Sequence, residues 1–370
     1  MHKYYREQLD KPTTVYDTEL PSTRYQGSKE KIVSWIWNIL ENENLDFNIV
    51  LDAFAGTGSL SYWAKKYGKQ VFFNDILRSN YYVGVAMIEN DDVVLNDDDT
   101  TFLTSRHELD YSSFIQENFR EVYFTNDENA WLDMVIRNIR EITDPFKRAL
   151  AISSLFQACI IKRPYNLFHR ANLYMRLANV PRSFGNKTTW DIPFVTHFRN
   201  FVAKYNSCVF SNGQSNKALN CDVLDIPTET KYDLVYIDPP YFSKIRGATD
   251  YYFYYHFLEG LCIYIEKGHL AWQSSIDYHR KPRPLKHGTT LEMLMSKWTK
   301  KNKITNSFDE VFRKFSDSIL VVSYNSEGIP SEKEMITLLK RYKRNVKVFR
   351  RKYQYALRPT ELEELLFIAK

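Results

Sequence analysis

Apolar and polar positions follow two kinds of pattern in the first part of the chain. Residues 29–41 carry isoleucines near helical spacing, which predicts a helix. Residues 48–54 are apolar and nearly uninterrupted, as in a strand buried within a parallel sheet. A glycine-rich turn, a helix closed by Gly68 and a short strand at 70–75 follow. Strand, turn, helix and strand in this order predict an α/β fold.

The middle of the chain departs from this alternation and the last part returns to it. Residues 90–130 begin with the acidic stretch NDDVVLNDDD, for which a solvated loop is expected, and residues 131–161 show helical patterns. At 231–241 an apolar strand ends in a polar tip. A further buried strand at 318–325 precedes a helix near 331–342 and a basic, hairpin-like tail.

Composition narrows the class of protein. With 370 residues, the chain is long enough for two domains or for one domain with a large insert. Its four cysteines show no paired spacing, which predicts neither a disulfide framework nor a zinc module. No apolar run approaches the roughly 18–20 residues of a membrane span, and the first residues lack the apolar core of a signal peptide. We therefore expect a cytoplasmic protein.

Charge becomes informative through its distribution. Lys and Arg number 50 against 45 Asp and Glu, and the net charge of +5 does not by itself indicate a polyanionic partner. Residues 162–205, however, hold eight basic residues and one acid, with aromatic residues between them. Further basic stretches lie at 280–303 and 340–352. Such stretches are typical of surfaces that bind phosphates, and a solvated basic face is the alternative.

The glycine-rich turn is a candidate ligand site. The sequence Asp52-Ala-Phe54-Ala-Gly56-Thr-Gly58-Ser joins a strand to a helix, where glycines let the backbone approach a ligand. Asp75 ends the next strand, about 20 residues on, at the offset of an acid that binds ribose hydroxyls. A tight turn and a turn-capping aspartate are the alternatives. Together the two features favour an adenosine-containing ligand, either a dinucleotide or S-adenosylmethionine.

A second motif, Asp238-Pro239-Pro240-Tyr241, ends the strand at 231–241. Since neither proline can donate a backbone hydrogen bond, the turn presents a carboxylate, carbonyl acceptors and an aromatic ring. These groups suit the exocyclic amine of a base. Acceptors hold the hydrogens of the amine, the ring stacks on the base, and the nitrogen lone pair is freed to attack a sulfonium methyl group. A proline-stiffened turn is the alternative.

Taken in this order, the motifs resemble those of the Dam-like (α-group) DNA adenine N6-methyltransferases, over most of the chain. Residues 24–29 (RYQGSK) match the N-terminal cofactor motif of that family, and 52–59 match its FxGxG motif. Residues 74–75 match its ribose-binding acid, and 238–241 match its catalytic tetrad. The long basic stretch is more like that of the larger relatives from restriction–modification systems. The resemblance implies a Rossmann-like class I S-adenosylmethionine-dependent methyltransferase sheet with a mostly helical inserted target-recognition domain.

The resemblance also implies individual roles. The catalytic residues would be Asp238, Pro239 and Tyr241, with Asp238 binding the target amine and the cofactor's amine and Tyr241 stacking on a flipped adenine. Lys29 would lie near the cofactor's carboxylate and Asp75 on its ribose. Asp222 stands where relatives often place an acid near the cofactor's adenine, and a surface aspartate is the alternative. The implied cofactor-binding residues are Tyr25, Lys29, Asp52, Phe54, Gly56, Gly58, Asp75, Asp222 and Asp238.

Two further stretches belong near the same sheet edge. The aromatic run at 251–259 predicts a helix packed mainly in the core, with closure over the cofactor or base as the alternative. His256 receives no catalytic role, because this chemistry needs no base there. The stretch Ser323-Tyr324-Asn325 ends the strand at 318–325 and is a candidate wall of the base pocket.

The implied domain organisation is discontinuous. Residues 1–85 and 207–370 would form the catalytic domain, and residues 86–206 the inserted recognition domain. The expected partners are double-stranded DNA and a cognate restriction endonuclease, a monomer is favoured, and no metal is required, because transfer from a sulfonium needs none. The candidate DNA-binding residues are Lys162, Arg163, Arg170, Arg176, Arg182 and Lys187.

The predicted activity is site-specific methylation of N6 of adenine. Methylation of N4 of cytosine is the nearest alternative, which a serine in place of Asp238 would have favoured. Methylation of RNA or of a protein glutamine amide is a further alternative, and the large basic insert argues against the amide. A non-catalytic DNA-binding module is the alternative from another class, and the intact Asp75, Asp238 and Tyr241 argue against it.

Overall fold

A seven-stranded sheet forms the centre of the computed structural model, which describes residues 18–21, 23–180, 187–243, 247–278, 282–353 and 362–370. The strand order is β3-β2-β1-β4-β7-β9-β8, and β5 and β6 pair separately. The strands are β1 Ile49–Asp52, β2 Gln70–Asn74, β3 Lys217–Leu219, β4 Leu234–Ile237, β5 Phe242–Ser243, β6 Gly247–Ala248, β7 Ile319–Asn325, β8 Val346–Tyr353 and β9 Leu362–Ala369.

Five strands of the sheet run parallel. β1 lies between β2 and β4, β3 adds beyond β2, and β7 pairs with β4. β9 is antiparallel to both of its neighbours, β7 and β8. Every residue of β4 is buried, which explains its uninterrupted apolar sequence. The predicted α/β fold is confirmed, and so is the hairpin-like tail, which is formed by β8 and β9.

Helices cover both faces of the sheet. The helix predicted over 29–41 is α1, Val33–Asn42, and the helix after the glycine-rich turn is α2, Ser59–Lys66. After β2 comes α3, Arg78–Gly84, which continues into a π-helical turn at Val85–Glu89. The helix predicted near 331–342 is α15, Glu332–Leu339.

Between the π-helical turn and β3 the described residues form helices and no strand. These are α4 Asp97–Thr104, α5 Phe114–Asn118, α6 Asn126–Glu141, α7 Pro145–Ile161, α8 Leu173–Leu177, α9 Lys187–Asp191 and α10 Phe194–Asn206. The prediction of a loop for the acidic stretch is wrong in its second half. Asn96 caps α4 in a capping box with Asp99, so the acidic residues fill the first helical turn, where the helix dipole stabilises negative charge.

A second helical segment separates β4 from β7. It contains α11 Tyr251–Lys267, α12 His269–Gln273, α13 Thr290–Thr299 and α14 Lys301–Lys314. The helix predicted from the aromatic run is therefore confirmed as the start of α11. The basic stretch at 280–303 supplies α13 and the start of α14, neither of which the sequence patterns predicted.

Buried apolar side chains form two clusters, separated by the sheet. Val50 and Leu51, neighbours on β1, belong to different clusters because successive strand residues face opposite sides. The cluster that contains Val50 also contains Leu132 of α6 and Leu155 of α7. Helices α6 and α7 therefore share a continuous core with one face of the sheet.

Candidate active site

A cleft runs along the carboxyl ends of β1, β2 and β4, with a volume of about 890 Å³ including its open part. In open α/β sheets this edge is the usual place for a ligand. Eight of the nine predicted cofactor residues line the cleft, and Gly58 lies between two lining residues, Thr57 and Ser59. The eight are Tyr25, Lys29, Asp52, Phe54, Gly56, Asp75, Asp222 and Asp238.

The glycine-rich turn is held by Asp75. The backbone N–H of Gly56 donates to Asp75 Oδ2 at 2.9 Å, and that of Leu77 donates to Oδ1 at 2.8 Å. Gly56 and Gly58 have φ of +55° and +75°, which L side chains rarely adopt. Burial raises the pKa of Asp75 to about 6, against these two hydrogen bonds, which lower it.

Asp52, at the end of β1, has one engaged oxygen. Ser61 Oγ donates to its Oδ2 at 2.7 Å, while Oδ1 is buried with no hydrogen-bond partner among the described residues. Burial raises the pKa of this carboxyl to about 7. A buried acceptor of this kind is costly unless a donor reaches it. Since Asp52 lines the cleft, a ligand could provide that donor.

Three tyrosines stack at one side of the cleft, and two of them, Tyr25 and Tyr251, line it. The ring of Tyr25 lies 4.2 Å from that of Tyr255 and 5.7 Å from that of Tyr251, each within 10° of parallel. A Cβ on Gly27 would lie 2.2 Å from Tyr251 Oη, so only glycine fits there. Tyr251 lines the cleft whereas Tyr255 is buried in the core. The first residue of the aromatic run therefore faces the cleft, whereas Tyr255 lies in the core as predicted for most of the run.

Lys29 and Asp238 form an ion pair at the tetrad. Lys29 Nζ lies 3.1 Å from Asp238 Oδ1 and 3.0 Å from Glu364 Oε1, and also donates to the hydroxyl of Tyr241. Burial alone would lower the pKa of Lys29, but the two carboxylates outweigh it and raise that pKa. Burial raises the pKa of Asp238 to about 6, with Lys29 opposing the shift and Glu364 adding to it.

Glu364 was not predicted from the sequence. It lies on β9, is fully buried, and accepts hydrogen bonds at Oε1 from Tyr241 Oη at 2.6 Å and from Ser323 Oγ at 2.8 Å. One signal could have found it. In the run LEELLFIA, Glu364 is an acid in a stretch that otherwise reads as a buried strand, while Glu363 beside it is exposed.

Helix α13 forms the opposite wall, and sequence reasoning missed its contribution. Leu294, Met295 and Trp298 line the cleft, and Trp298 meets the ring of Phe54 edge-on at 4.9 Å. Lys297 Nζ lies 3.6 Å from Asp222 Oδ2. Asp222 is buried and accepts from the backbone N–H of Leu224 at 3.0 Å, so the alternative of a surface aspartate is wrong.

Three of the predicted DNA-binding residues are in the interior, which corrects the prediction for them. Lys162 and Arg176 both pair with Glu128, at 2.8 and 2.6 Å. The guanidinium of Arg163 donates to backbone carbonyls, including that of Tyr123 at 2.8 Å and that of Ala171 at 2.7 Å. All three side chains are buried. Their charges are paired inside the protein, because a buried cation requires partners there.

The other three predicted DNA-binding residues differ in their placement. Arg170 is exposed, in the loop whose carbonyls Arg163 binds. Lys187 is partly exposed and pairs with Asp191 of the same helix at 2.8 Å. Arg182 lies outside the described residues.

The described residues also bear on metal binding and on membrane insertion. Among the described residues, no group of three or more His, Cys, Asp or Glu side chains is placed to hold a metal ion. In the same part of the chain, every helix is too short or too polar to cross a membrane.

Comparison with known proteins gives consistent matches. A family model described as D12 class N6 adenine-specific DNA methyltransferase matches residues 25–338. The type II methyltransferase M2.HphI of Haemophilus parahaemolyticus is 30% identical over 95% of this chain and 98% of its own length. The type II methyltransferase M.FokI of Planomicrobium okeanokoites is 24% identical over 93% of this chain but 52% of its own. For M.NlaIII of Neisseria lactamica the identity is 22%, over 86% of this chain and 88% of that protein.

Proposed function

The chain belongs to the D12 class of N6 adenine-specific DNA methyltransferases, and on that premise we propose that its cleft binds S-adenosylmethionine as methyl donor. The enzyme methylates adenine in DNA at specific sites.

The cleft residues suit S-adenosylmethionine. When bound, this group supplies an electrophilic methyl carried by a sulfonium. Asp75 offers carboxylate oxygens for ribose hydroxyls, and the unpartnered Oδ1 of Asp52 offers an acceptor for a further donor. Asp222, between α13 and the sheet, is assigned to the adenine of S-adenosylmethionine. Several carboxylates in a partly closed cleft also favour a cationic ligand over a dinucleotide, whose phosphates they would repel.

Asp238 is assigned to the amine of the target adenine. Its carboxylate can accept a hydrogen from N6, which draws electron density toward the nitrogen and favours its attack on the methyl group. Lys29, 3.1 Å from Oδ1, favours the ionised form that this role requires. Methylation of the amine releases one proton. A carboxyl with a pKa of about 6 can accept that proton and pass it to solvent near neutral pH.

Tyr241 is assigned to the base itself. A base within a duplex cannot reach the tetrad, so it must leave the stack, at a cost of a few kcal/mol. The ring of Tyr241 is half-buried, and it offers a surface on which a flipped adenine can stack. Pro239 keeps the turn free of a competing backbone donor.

Different segments of the chain are assigned to catalysis and to DNA recognition. Residues 1–85 and 207–370 are assigned to catalysis, and residues 86–206 to recognition of double-stranded DNA, with Arg170 as an exposed phosphate contact. The named relatives are type II methyltransferases, and on that ground a cognate endonuclease is the proposed cellular partner. The protein is assigned to the cytoplasm and to a monomeric state.

An Asp238→Ala variant tests this function. Methyl transfer from labelled S-adenosylmethionine to duplex DNA should fall by at least about a hundredfold, because the acceptor for the amine is lost. Binding of the same DNA should be retained. Asp46→Ala, at an exposed position, is the control. Sequencing of the product for modified bases should find N6-methyladenine. Transfer by the Asp238 variant at the wild-type rate, or methylation of cytosine, would contradict the proposal.

A further inference from the structure

One buried carboxylate meets three donors at the tetrad. Glu364 Oε1 lies 3.0 Å from Lys29 Nζ, 2.6 Å from Tyr241 Oη and 2.8 Å from Ser323 Oγ. Its side chain is fully buried. The residue lies beyond residue 338, where the family match ends. None of the roles assigned above uses it.

We propose that Glu364 is a positioning residue of the methyl-transfer site, which fixes the ammonium of Lys29 and the ring of Tyr241 beside Asp238. This inference rests on the proposed function, because it concerns the efficiency of the same reaction. Glu364 acts through its two neighbours and is not assigned a contact with the base or with the methyl donor.

A carboxylate at this buried position of β9 stabilises the strand no better than an apolar side chain would, which points to a role at the site. A buried ionised group costs several kcal/mol unless partners surround it, and apolar residues of similar size are often equally stable. The rest of β9 around it, from Leu365 to Ala369, is apolar and buried. A leucine at 364 would suit the strand but would leave Lys29 with one carboxylate and Tyr241 without this acceptor.

The ring of Tyr241 is held from two sides. Its hydroxyl donates to Glu364, and its ring meets that of Tyr324 edge-on at 5.0 Å. Lys29 Nζ lies 4.5 Å from the centre of the same ring. A ring fixed in this way needs little further ordering when a base stacks on it, so less binding energy is lost.

Glu364 also sets the charge around Asp238. Its carboxylate raises the pKa of Asp238, and the ammonium of Lys29 lowers it. Replacement of Glu364 by a neutral residue should therefore lower that pKa. The titratable groups that face Asp238 from the surrounding elements are Lys29, Asp52, Tyr236, Tyr241, Tyr251 and Glu364.

Glu364→Gln in the full chain tests the inference, with Glu363→Gln as its matched control. The control removes the same charge from the adjacent, exposed position of β9. In Glu364→Gln we expect kcat to fall about tenfold to a hundredfold, the range that a misplaced reacting group costs, with smaller changes in KM for DNA and for S-adenosylmethionine. The acid limb of the kcat–pH profile should move to lower pH. Glu363→Gln should match the wild type in both.

Three results would separate the possibilities. Wild-type kcat and an unshifted pH profile in a folded Glu364→Gln variant would overturn the inference and leave the proposed function standing. Loss of thermal stability with unchanged kcat per folded molecule would also overturn it, since that is the result of a purely structural role. Absence of adenine methylation by the wild type and by Glu363→Gln alike would contradict the proposed function itself, and the inference with it.

Coupling to Tyr241 gives a second test. Tyr241→Phe keeps the ring and removes the hydroxyl that donates to Glu364. If Glu364 acts through this hydroxyl, the two substitutions together should reduce kcat by less than the product of their separate effects. Multiplicative effects would contradict the coupling. Should Glu364→Gln not fold, Ser323→Ala and Tyr241→Phe each remove one donor to the carboxylate. A fall in kcat in both supports the inference, and wild-type kcat in both overturns it.

Discussion

At the scale of single residues, burial in the cleft disfavours the ionised form of three aspartates. Burial raises the pKa of Asp52 to about 7 and those of Asp75 and Asp238 to about 6. In the unfolded chain an aspartate has a pKa near ~3.9. Between these values the folded protein binds more protons than the unfolded chain does. The free energy of unfolding of the ligand-free protein should therefore decrease as the pH rises through this window.

Asp52 has the highest pKa of the three, so its share of the decrease in unfolding free energy extends to the highest pH. Asp52→Asn should remove that share. The variant keeps an oxygen for Ser61 and cannot ionise, so its melting temperature should fall less than that of the wild type between about pH 5 and about pH 8. Thermal unfolding without ligand, followed across that range, measures the difference. Asp46→Asn, at an exposed site, is the control and should follow the wild type. Parallel profiles for Asp52→Asn and the wild type would contradict the assignment.

Sequence reasoning identified candidate site residues where they are close together in the chain. The turn at 52–59 and the tetrad at 238–241 are local, so each can be recognised as a short motif. Glu364 joins the same site from 335 residues beyond Lys29. No local pattern connects the two, because their contact depends on the antiparallel insertion of β9 into the sheet.

At the scale of elements, the N-terminal segment meets α11 at a contact that a methyl group would block. Gly27 has φ of +84°, and a Cβ there would overlap the hydroxyl of Tyr251. Gly27→Ala should therefore destabilise the protein by more than the roughly 1–2 kcal/mol that a left-handed backbone costs an alanine. Urea unfolding measures this difference.

Gly68→Ala is the control for that measurement. Gly68 also has positive φ, at +71°, but a Cβ there would meet nothing within 4 Å. It should show the backbone cost alone. Addition of Tyr251→Phe to Gly27→Ala should restore part of the lost stability, because the overlapping oxygen is removed. Equal losses in the two glycine variants would show that the contact with α11 does not constrain the segment.

Most strands of the sheet were predicted from the sequence, whereas α13 and α14, among the helices that cover it, were not. β1, β4 and β7 are short, mostly apolar and buried runs bounded by turns, a combination that indicates strands. The residues of α13 that line the cleft are spaced as on any amphipathic helix. Periodicity indicates that such a helix has a buried face, but it does not indicate whether that face meets the core or a ligand.

At the scale of the whole molecule, counting charges overestimated the surface available for DNA. Lys162 and Arg176 form ion pairs with Glu128, which lies 34 residues before the start of the basic stretch. Arg163 donates hydrogen bonds to backbone carbonyls. Such pairings depend on how the helices of the insert pack, which no count of charges along the sequence can show. The exposed Arg170 and the partly exposed Lys187 remain predicted DNA contacts, as does Arg182, which lies outside the described residues.

Arg170→Gln should therefore affect DNA binding, whereas Arg163→Gln should affect the stability of the fold. The first should weaken DNA binding several-fold and reduce the slope of log affinity against log salt by about 1, as expected for one phosphate contact. The second should lower the free energy of unfolding by about 2–4 kcal/mol, since several buried carbonyls lose their donor. Binding isotherms at several salt concentrations and urea unfolding distinguish the two effects.

Lys217→Gln is the control for both measurements. Lys217 is on the edge strand β3, where its side chain is half exposed and pairs with Glu89. It should change neither the salt slope nor the stability by a comparable amount. A reduced salt slope in Arg163→Gln with unchanged stability would contradict the internal role assigned to Arg163.

The place of β9 in the sheet has a consequence for synthesis on the ribosome. β9 lies between β7 and β8, although it follows both in the chain. A nascent chain that has emerged as far as residue 353 can form the parallel strands, but β8 has no neighbour to pair with until β9 arrives. The carboxylate of Glu364 reaches Lys29 and Tyr241 at that same moment. The strand that joins β7 to β8 therefore also brings in the carboxylate that binds Lys29 and Tyr241.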